Sequence, residues 1–255
     1  MEPRERPGAT GRPLPPRLEP LRPLVRRARV PYRRSKRLVS AGTIAGSCDR
    51  IAGPGVALTF DDGPDPVFTH EVLDVLADRG VTATFFVVGT NARRHPGLIR
   101  RMVAEGHGVA SHSMTHPDPW RLRPVELWRD YRAGHLEVAE VLGHDVRLFR
   151  PPKGHIDRRG ALAIRAAGLR PYLWTLDAAD WEPDLRPEDV VERLGRPVAG
   201  DVILLHDGLE GPWAPEALDR SAMVEGLRRF LDRALGDGVV FAPLPGGSPL
   251  TEPRS

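Results

Sequence analysis

Two carboxylates stand side by side in Thr59-Phe60-Asp61-Asp62-Gly63-Pro64, at the end of an apolar run over residues 56–60 and just ahead of a tight Gly-Pro turn. Adjacent aspartates repel each other and gain nothing from burial in a core. Setting both where a strand stops makes chemical sense if one holds a cation and the other moves a proton. A second segment, Ser111-His112-Ser113-Met114-Thr115-His116-Pro117, offers the imidazoles such a cation needs. Histidines four apart lie on one face of a helical turn and can converge on one metal ion. No glutamate follows His112, so the H-E-x-x-H protease pattern is absent. Two histidines and one aspartate of the opening pair make a two-histidine, one-carboxylate face with positions open for water and substrate.

Three more segments carry matching groups. Arg150-Pro151-Pro152-Lys153-Gly154 brings a guanidinium, a natural partner for one of the carboxylates, after another apolar run. Asp177-Ala178-Ala179-Asp180-Trp181 and Leu204-Leu205-His206-Asp207 pair an acid with an imidazole. A carboxylate that holds the ring and raises its pKa makes a proton donor. Each segment alone reads equally well as an ordinary loop; their joint appearance, one per strand end, does not.

The elements that must position these residues alternate. Strand-like runs are expected at 56–60, 84–88, 109–111, 147–150, 171–176, 201–205 and 239–241. Helical spacing fills the intervals. It runs from Glu71 to Leu76, then puts Leu98, Ile99, Met102 and Val103 on one face, and after Pro124 aligns Val125, Trp128, Tyr131, Val138 and Leu142. Further helices are expected over 161–167, between Pro187 and Gly195, and around Met223, Leu227, Phe230 and Leu231. Strand–helix alternation without a domain-sized break predicts a single α/β domain over residues 51–245 with about seven parallel strands. That is one strand short of a full (β/α)8 barrel. An incomplete or distorted barrel is the first expectation and an open doubly wound sheet the second. No G-x-G-x-x-G follows the first strand, which weakens the dinucleotide-binding version of the latter. In either architecture functional side chains collect at the carboxyl ends of parallel strands.

In their order along the chain, T-F-D-D-G-P, H-S-M-T-H, R-P-P-K-G, D-A-A-D-W and L-L-H resemble the motifs of the polysaccharide deacetylase (NodB-homology) family. Ala83-Thr84-Phe85-Phe86-Val87-Val88-Gly89 is similar to that family's second strand, and the similarity covers about residues 54–244. The resemblance implies a distorted (β/α) barrel with a bound divalent metal, Zn2+ first and Co2+, Ni2+ or Mn2+ as alternatives. It implies removal of acetyl groups from N-acetylated sugars in chitin oligomers, peptidoglycan or a related N-acetylglucosamine glycan. By position it makes Asp62, His112 and His116 the metal ligands, Asp61 the general base paired with Arg150, and His206 the general acid oriented by Asp180. Leu204 and Trp181 would wall a small apolar pocket for the acetyl methyl group, and the backbone N–H of Lys153 would meet the oxyanion. Lys153 departs from the aromatic residue the family often has there, which alters the substrate rim; a solvated lysine is expected. Trp120 and Trp213, in loops, are the better candidates for stacking on sugar rings. The rival readings are a metal-dependent amidohydrolase of a small N-acyl or ureide metabolite and, third, a barrel that binds glycan without turning it over.

The 255-residue chain is 40% hydrophobic, which suits a globular core, and its formal charge of +3 hides a split. Residues 1–50 hold 13 Lys+Arg against 4 Asp+Glu, a balance of +9, whereas the remainder holds 24 against 30, a balance of −6. The first 50 residues, rich in Pro and Arg and without period, read as a disordered basic extension, and 246–255 as a flexible tail. Nothing in the extension interleaves aromatics with its arginines, so nucleic acid is not an expected partner. Cys48 is the only cysteine, which excludes an intramolecular disulfide and a thiolate cluster. No apolar run approaches the ~20 residues needed to span a bilayer. Arg33-Arg34 ahead of the mild apolar run 38–48 faintly resembles an export signal, but that run is short, poor in leucine and far from Met1. A cytoplasmic location is expected, with export or surface association as the alternative.

Overall fold

Strands of a parallel sheet are buried on both faces and read as near-continuous apolar runs. Such runs form β1 (Ala57–Asp61), β2 (Thr84–Val87), β3 (Gly108–Ser111), β4 (Leu148–Phe149), β5 (Arg170–Pro171), β6 (Leu176–Asp177) and β7 (Val202–His206). The intervening segments form α1 (Phe68–Ala77), α2 (Gly89–Arg94), α3 (Pro96–Ala104), α4 (Pro124–Leu142), α5 (Arg158–Ala166), α6 (Pro187–Leu194) and α7 (Ser221–Gly236). This computed structural model describes residues 45–212 and 214–246. The basic extension up to residue 44, the tail beyond Gly246 and Trp213 lie outside the described residues.

All strand pairings are parallel, in the order β5-β4-β3-β2-β1-β7-β6. β5 and β6 occupy opposite edges, yet only residues 172–175 separate them in sequence. Fully extended, the link from Pro171 to Leu176 spans at most about 17 Å. The sheet therefore curls until its edges approach each other, which is the distorted, incomplete barrel. The expected single strand over 171–176 is thus two. Its start pairs with β4 and its end with β7, and no one ladder can serve both edges. Cys48 lies along the link: its N–H donates to Pro171 O at 3.1 Å and its C=O accepts from Leu173 N at 2.7 Å. Ala45 is buried in the cluster around Leu127, Tyr131 and Phe149, so the fold already includes residues 45–50, which composition alone groups with the extension. The expected last strand, 239–241, is a single bridge between Val56 and Phe241. β7 takes one edge of β1 from Ala57 and β2 the other from Thr59, which leaves Val56 as the position where the returning chain can pair.

The alternation of side chains along a strand decides what faces inward. Leu58, Phe60, Phe85, Val87, Val109, Ile203 and Leu205 pack outward against Val72, Leu76, Ile99, Leu227 and Phe230 of the helices. Ala57, Phe86, Ala110, Leu148 and Val202 form the inner cluster with Tyr172 and Leu244. Continuing that alternation to the strand ends puts Asp61, His112, Arg150 and His206 on the inner face. The register agrees, with Asp61 opposite His206.

On α4 the buried stripe is Leu127, Tyr131, Gly134, His135, Glu137 and Val138, while Val125 is exposed and Trp128 half-buried, so the apolar face is rotated from the expected one. The reason is Gly134, where a Cβ would collide with the backbone of Ser113. The helix turns that face to the loop carrying the two histidines. Val103, expected on the buried face of α3, is likewise at the surface.

Candidate active site

β1 ends in the two carboxylates, and the turn that follows sends them apart. Asp61 continues the strand. Asp62 has φ 72°, a left-handed conformation that costs a non-glycine residue energy. Neighbours hold it there: Glu210 N–H donates to Asp62 Oδ2 at 2.9 Å, and Asn91 Nδ2 donates to Asp62 O at 3.0 Å and to Glu210 Oε1 at 2.8 Å. Gly63 opens the turn because a Cβ there would collide with the Asp207 carboxylate.

Arg150, fully buried, holds Asp61. Its Nη1 donates to Asp61 Oδ1 at 2.7 Å and to Thr59 Oγ1 at 2.8 Å, while Nε and Nη2 donate to the carbonyls of Tyr172 and Leu173 at 3.0 and 3.1 Å. The guanidinium lies 4.0 Å from the centre of the Phe86 ring. A buried charge needs this many partners. Asp61 Oδ2 is left facing His112 Nε2 at 3.7 Å.

The histidine segment is a loop after β3 and not the expected helical turn. His112 extends β3, its N–H donating to Val87 O at 2.8 Å. Ser113 and His116 then take left-handed φ values of 72° and 49°, which fold the second ring back onto the first. The ring centres are 5.0 Å apart. Asp130 of α4 pins the loop by accepting from Met114 N at 3.1 Å and Thr115 Oγ1 at 2.7 Å. His112 Nδ1 donates to Arg150 O at 2.7 Å, so the lone pair sits on Nε2. Asp62 Oδ1 lies 3.3 Å from His112 Nε2 and 3.4 Å from His116 Nε2. One donor atom from each of the three residues falls within 4.8 Å of the others.

The charges suit a cation. Burial works against ionising Asp62, but His116 and His112 outweigh it and hold the carboxyl well below the usual range. Burial pushes His116 down to about 4, so its imidazole is neutral near neutral pH. For His112 burial is overcome by Asp61 and Asp62, and the pKa rises. A cation entering this group competes with a proton for His112 Nε2.

Across the site, His206 ends β7. Its Nδ1 meets Asp180 Oδ1 at 2.9 Å and its own N–H donates to Asp180 Oδ2 at 3.0 Å. Burial alone would lower its pKa; Asp180, with smaller contributions from Asp62 and Asp61, pushes it up to about 9. The Trp181 ring meets His206 edge-on at 5.6 Å, and Leu204, nearly fully buried, precedes His206 by two on the same strand face.

Lys153 adds a partner to the expectation. It has φ 58°, its Nζ pairs with Asp118 Oδ1 at 2.5 Å, and it sits 5.0 Å from the centre of the Trp120 ring, so the lysine is exposed, as expected, but also partnered. Trp120 is 48% exposed, as a stacking platform requires. Trp174 donates its Nε1–H to Asp177 Oδ2 at 3.2 Å.

Sequence reasoning missed four residues. Asn91, Glu210 and Asp130 act on backbone atoms or through loops, which no residue pattern announces. Arg220 is buried against Asp180 and His206. It did leave a signal, because a cation immediately ahead of a helix opposes the helix dipole and so calls for another reason to be there. Asp207 is also buried beside the site; it accepts from Thr69 Oγ1 at 2.5 Å, and burial pushes its carboxyl up to about 7.

Comparison with known proteins agrees with this geometry. The polysaccharide deacetylase family model matches residues 51–172. The chain is 42% identical over 203 residues to a chitooligosaccharide deacetylase of Sinorhizobium fredii, covering 75% of this chain and 91% of that protein. It is 34% identical over 190 residues to a peptidoglycan-N-acetylglucosamine deacetylase of Bacillus cereus, covering 73% and 84%. The crystal structure of the Bc1960 peptidoglycan N-acetylglucosamine deacetylase superposes with a TM-score of 0.69 at 28% identity, over 78% of this chain and 90% of that one. A relative matched at this identity over nine-tenths of its length leaves one assignment: this chain belongs to the polysaccharide deacetylase family.

Proposed function

We propose that this chain hydrolyses the acetamide of N-acetylglucosamine units in a glycan of the chitin-oligomer or peptidoglycan type, releasing acetate and a free amine. What carries the reading is Asp62 Oδ1. It is buried and has no hydrogen-bond partner among the described residues, and it faces two imidazole nitrogens. A buried carboxylate oxygen left unpaired is costly unless something positive meets it. Two nitrogens and one carboxylate oxygen form the donor set of a catalytic Zn2+, and Co2+, Ni2+ and Mn2+ accept the same donors. Asp62, His112 and His116 would hold the ion, which supplies a Lewis acid beside the scissile carbonyl.

The remaining groups divide the proton work. Asp61, aimed by Arg150, takes a proton from the attacking water as its oxygen bonds to the acetyl carbon. The backbone N–H of Lys153 donates to the oxygen that becomes negative. His206, cationic because Asp180 holds it so, gives its proton to the nitrogen as the C–N bond breaks. Trp181 and Leu204 form an apolar wall suited to the acetyl methyl. Base and acid are separate groups, and Asp180 raises the pKa of the acid, His206, to about 9.

Acetate release from chitin oligomers, peptidoglycan fragments and small N-acetyl compounds tests the reading. Turnover of a glycan, its loss on chelation and its return with Zn2+ are expected. Full activity in metal-stripped protein, or turnover confined to small compounds, overturns it.

A further inference from the structure

Arg220 immediately precedes α7, two residues after a short 3-10 turn over Pro215–Leu218, and its side chain is almost fully buried. Its Nη2 donates to Asp180 Oδ2, its Nη1 to Asp180 O at 2.7 Å and to Ala217 O at 3.3 Å, and Nε and Nη2 each reach His206 O at 3.4 Å. One guanidinium thus grips Asp180 by carboxylate and backbone and touches the backbone of His206. We propose that Arg220 is a positioning residue for proton donation. It fixes the Asp180 carboxylate so that Oδ1 stays on His206 Nδ1, which keeps the other ring nitrogen, Nε2, directed away from Asp180. The inference rests on the reading of His206 as the acid.

Stability alone gives no reason for this residue. A buried guanidinium is expensive to desolvate, and an apolar side chain of similar volume often serves a core equally well. The position is also electrostatically wrong for a cation, at the amino end of a sixteen-residue helix. What the arginine adds is direction. Asp180 Oδ2 receives both the His206 N–H and Arg220 Nη2, and Oδ1 receives the His206 ring. The terminal torsion of an aspartate is broad and roughly two-fold. Without Arg220, the side-chain oxygens of Asp180 keep only the two donors of His206 itself, the residue they must orient.

The test is a double-mutant cycle with His206→Ala, read as kcat, KM and Zn2+ affinity in folded protein. Arg220→Met in the native background lowers kcat roughly 10–100-fold with KM and Zn2+ affinity unchanged, and Arg220→Lys restores part of the loss. In the His206→Ala background Arg220→Met lowers kcat no further, since a residue that acts through His206 has nothing left to act on. NMR of the metal-free protein supplies a readout without turnover: the Nδ1 proton of His206, slow to exchange in the native chain, exchanges rapidly in Arg220→Met. Equal losses in both backgrounds, no loss in either, or an unchanged Nδ1 proton overturn the inference. If Arg220→Met does not fold, Arg220→Lys carries the same cycle. An unchanged kcat in His206→Ala alone identifies a different failure, that of the acid assignment, and removes this inference with it.

Discussion

Two buried arginines each hold an aspartate at this barrel mouth, and they hold it differently. Arg150 binds one oxygen of Asp61 and sends its remaining donors to Thr59 and two backbone carbonyls, so Asp61 Oδ2 stays open toward His112. Arg220 joins two donors from His206 on Asp180, and both carboxylate oxygens are filled. The same pair of residue types thus gives a carboxylate with a working oxygen in one half and a fully engaged carboxylate in the other. A base needs the first arrangement, and a residue that orients an imidazole needs the second.

The sharpest way to break this contrast is Asp61→Asn. The amide oxygen still accepts from Arg150, so the half-site keeps its shape while the proton acceptor is gone. We expect kcat to fall roughly 10²–10⁴-fold with the Zn2+ content unchanged, measured by metal analysis of the purified variant. Loss of Zn2+ from Asp61→Asn would mean that Asp61 and Asp62 have exchanged roles.

A smaller effect is expected from Asp180→Asn, which strikes the filled carboxylate. It removes the largest favourable charge acting on His206, which lifts the pKa to about 9 against the downward pull of burial. NMR titration of metal-free protein should therefore place the His206 midpoint near 9 in the native chain and well below it in the variant. The sign for stability follows. A histidine raised from 6.5 to about 9 on folding stabilises the native state in full below 6.5, and the contribution is lost as pH rises through 9. Urea midpoints of the metal-free native protein should decline across that window more steeply than those of Asp180→Asn. We expect kcat of the variant to drop roughly 10²-fold, the lower end for a general acid. A midpoint that stays near 9 in the variant would show that Asp62 and Asp61, and not Asp180, charge the imidazole.

The two halves were not equally legible in the sequence. Asp61, Asp62, Arg150 and His206 sit at or just beyond strand ends, where period-two alternation fixes their face, so an apolar run followed by a polar residue is enough to find them. Asp180 came with them as the acid of a D-x-x-D-W segment. Arg220 lies far along the chain in a loop, and its partners are a carboxylate and carbonyls that only the closed barrel brings near. The histidine loop was legible in composition but not in shape, because spacing by four suggests a helical turn and the left-handed Ser113 and His116 reach the same convergence another way. Residues 171–176 look like one strand because a local apolar run carries no record of which edge it pairs with. That depends on how far the sheet curls, a property of all seven strands.

A third basic–acidic pair at the same mouth sets the lower bound of the comparison. Lys153 and Asp118 are joined at 2.5 Å, but the lysine side chain is 40% exposed, and exposed ion pairs contribute little. What this pair does is seat the ammonium over Trp120 and leave that ring open to solvent. Aromatic stacking is worth about 0.5–1.5 kcal/mol, so Trp120→Ala should raise KM for a chitin oligomer about 2–10-fold while kcat holds. Lys153→Ala loses the exposed ion pair with Asp118, which contributes little, and the exposed cation–π contact, of order 0.5–1 kcal/mol, and should raise KM less. Steady-state kinetics on oligomers of increasing length would check both. If Lys153→Ala proves the more damaging of the two, the ammonium itself meets the glycan, and the exposed pair is a substrate contact that opens on binding.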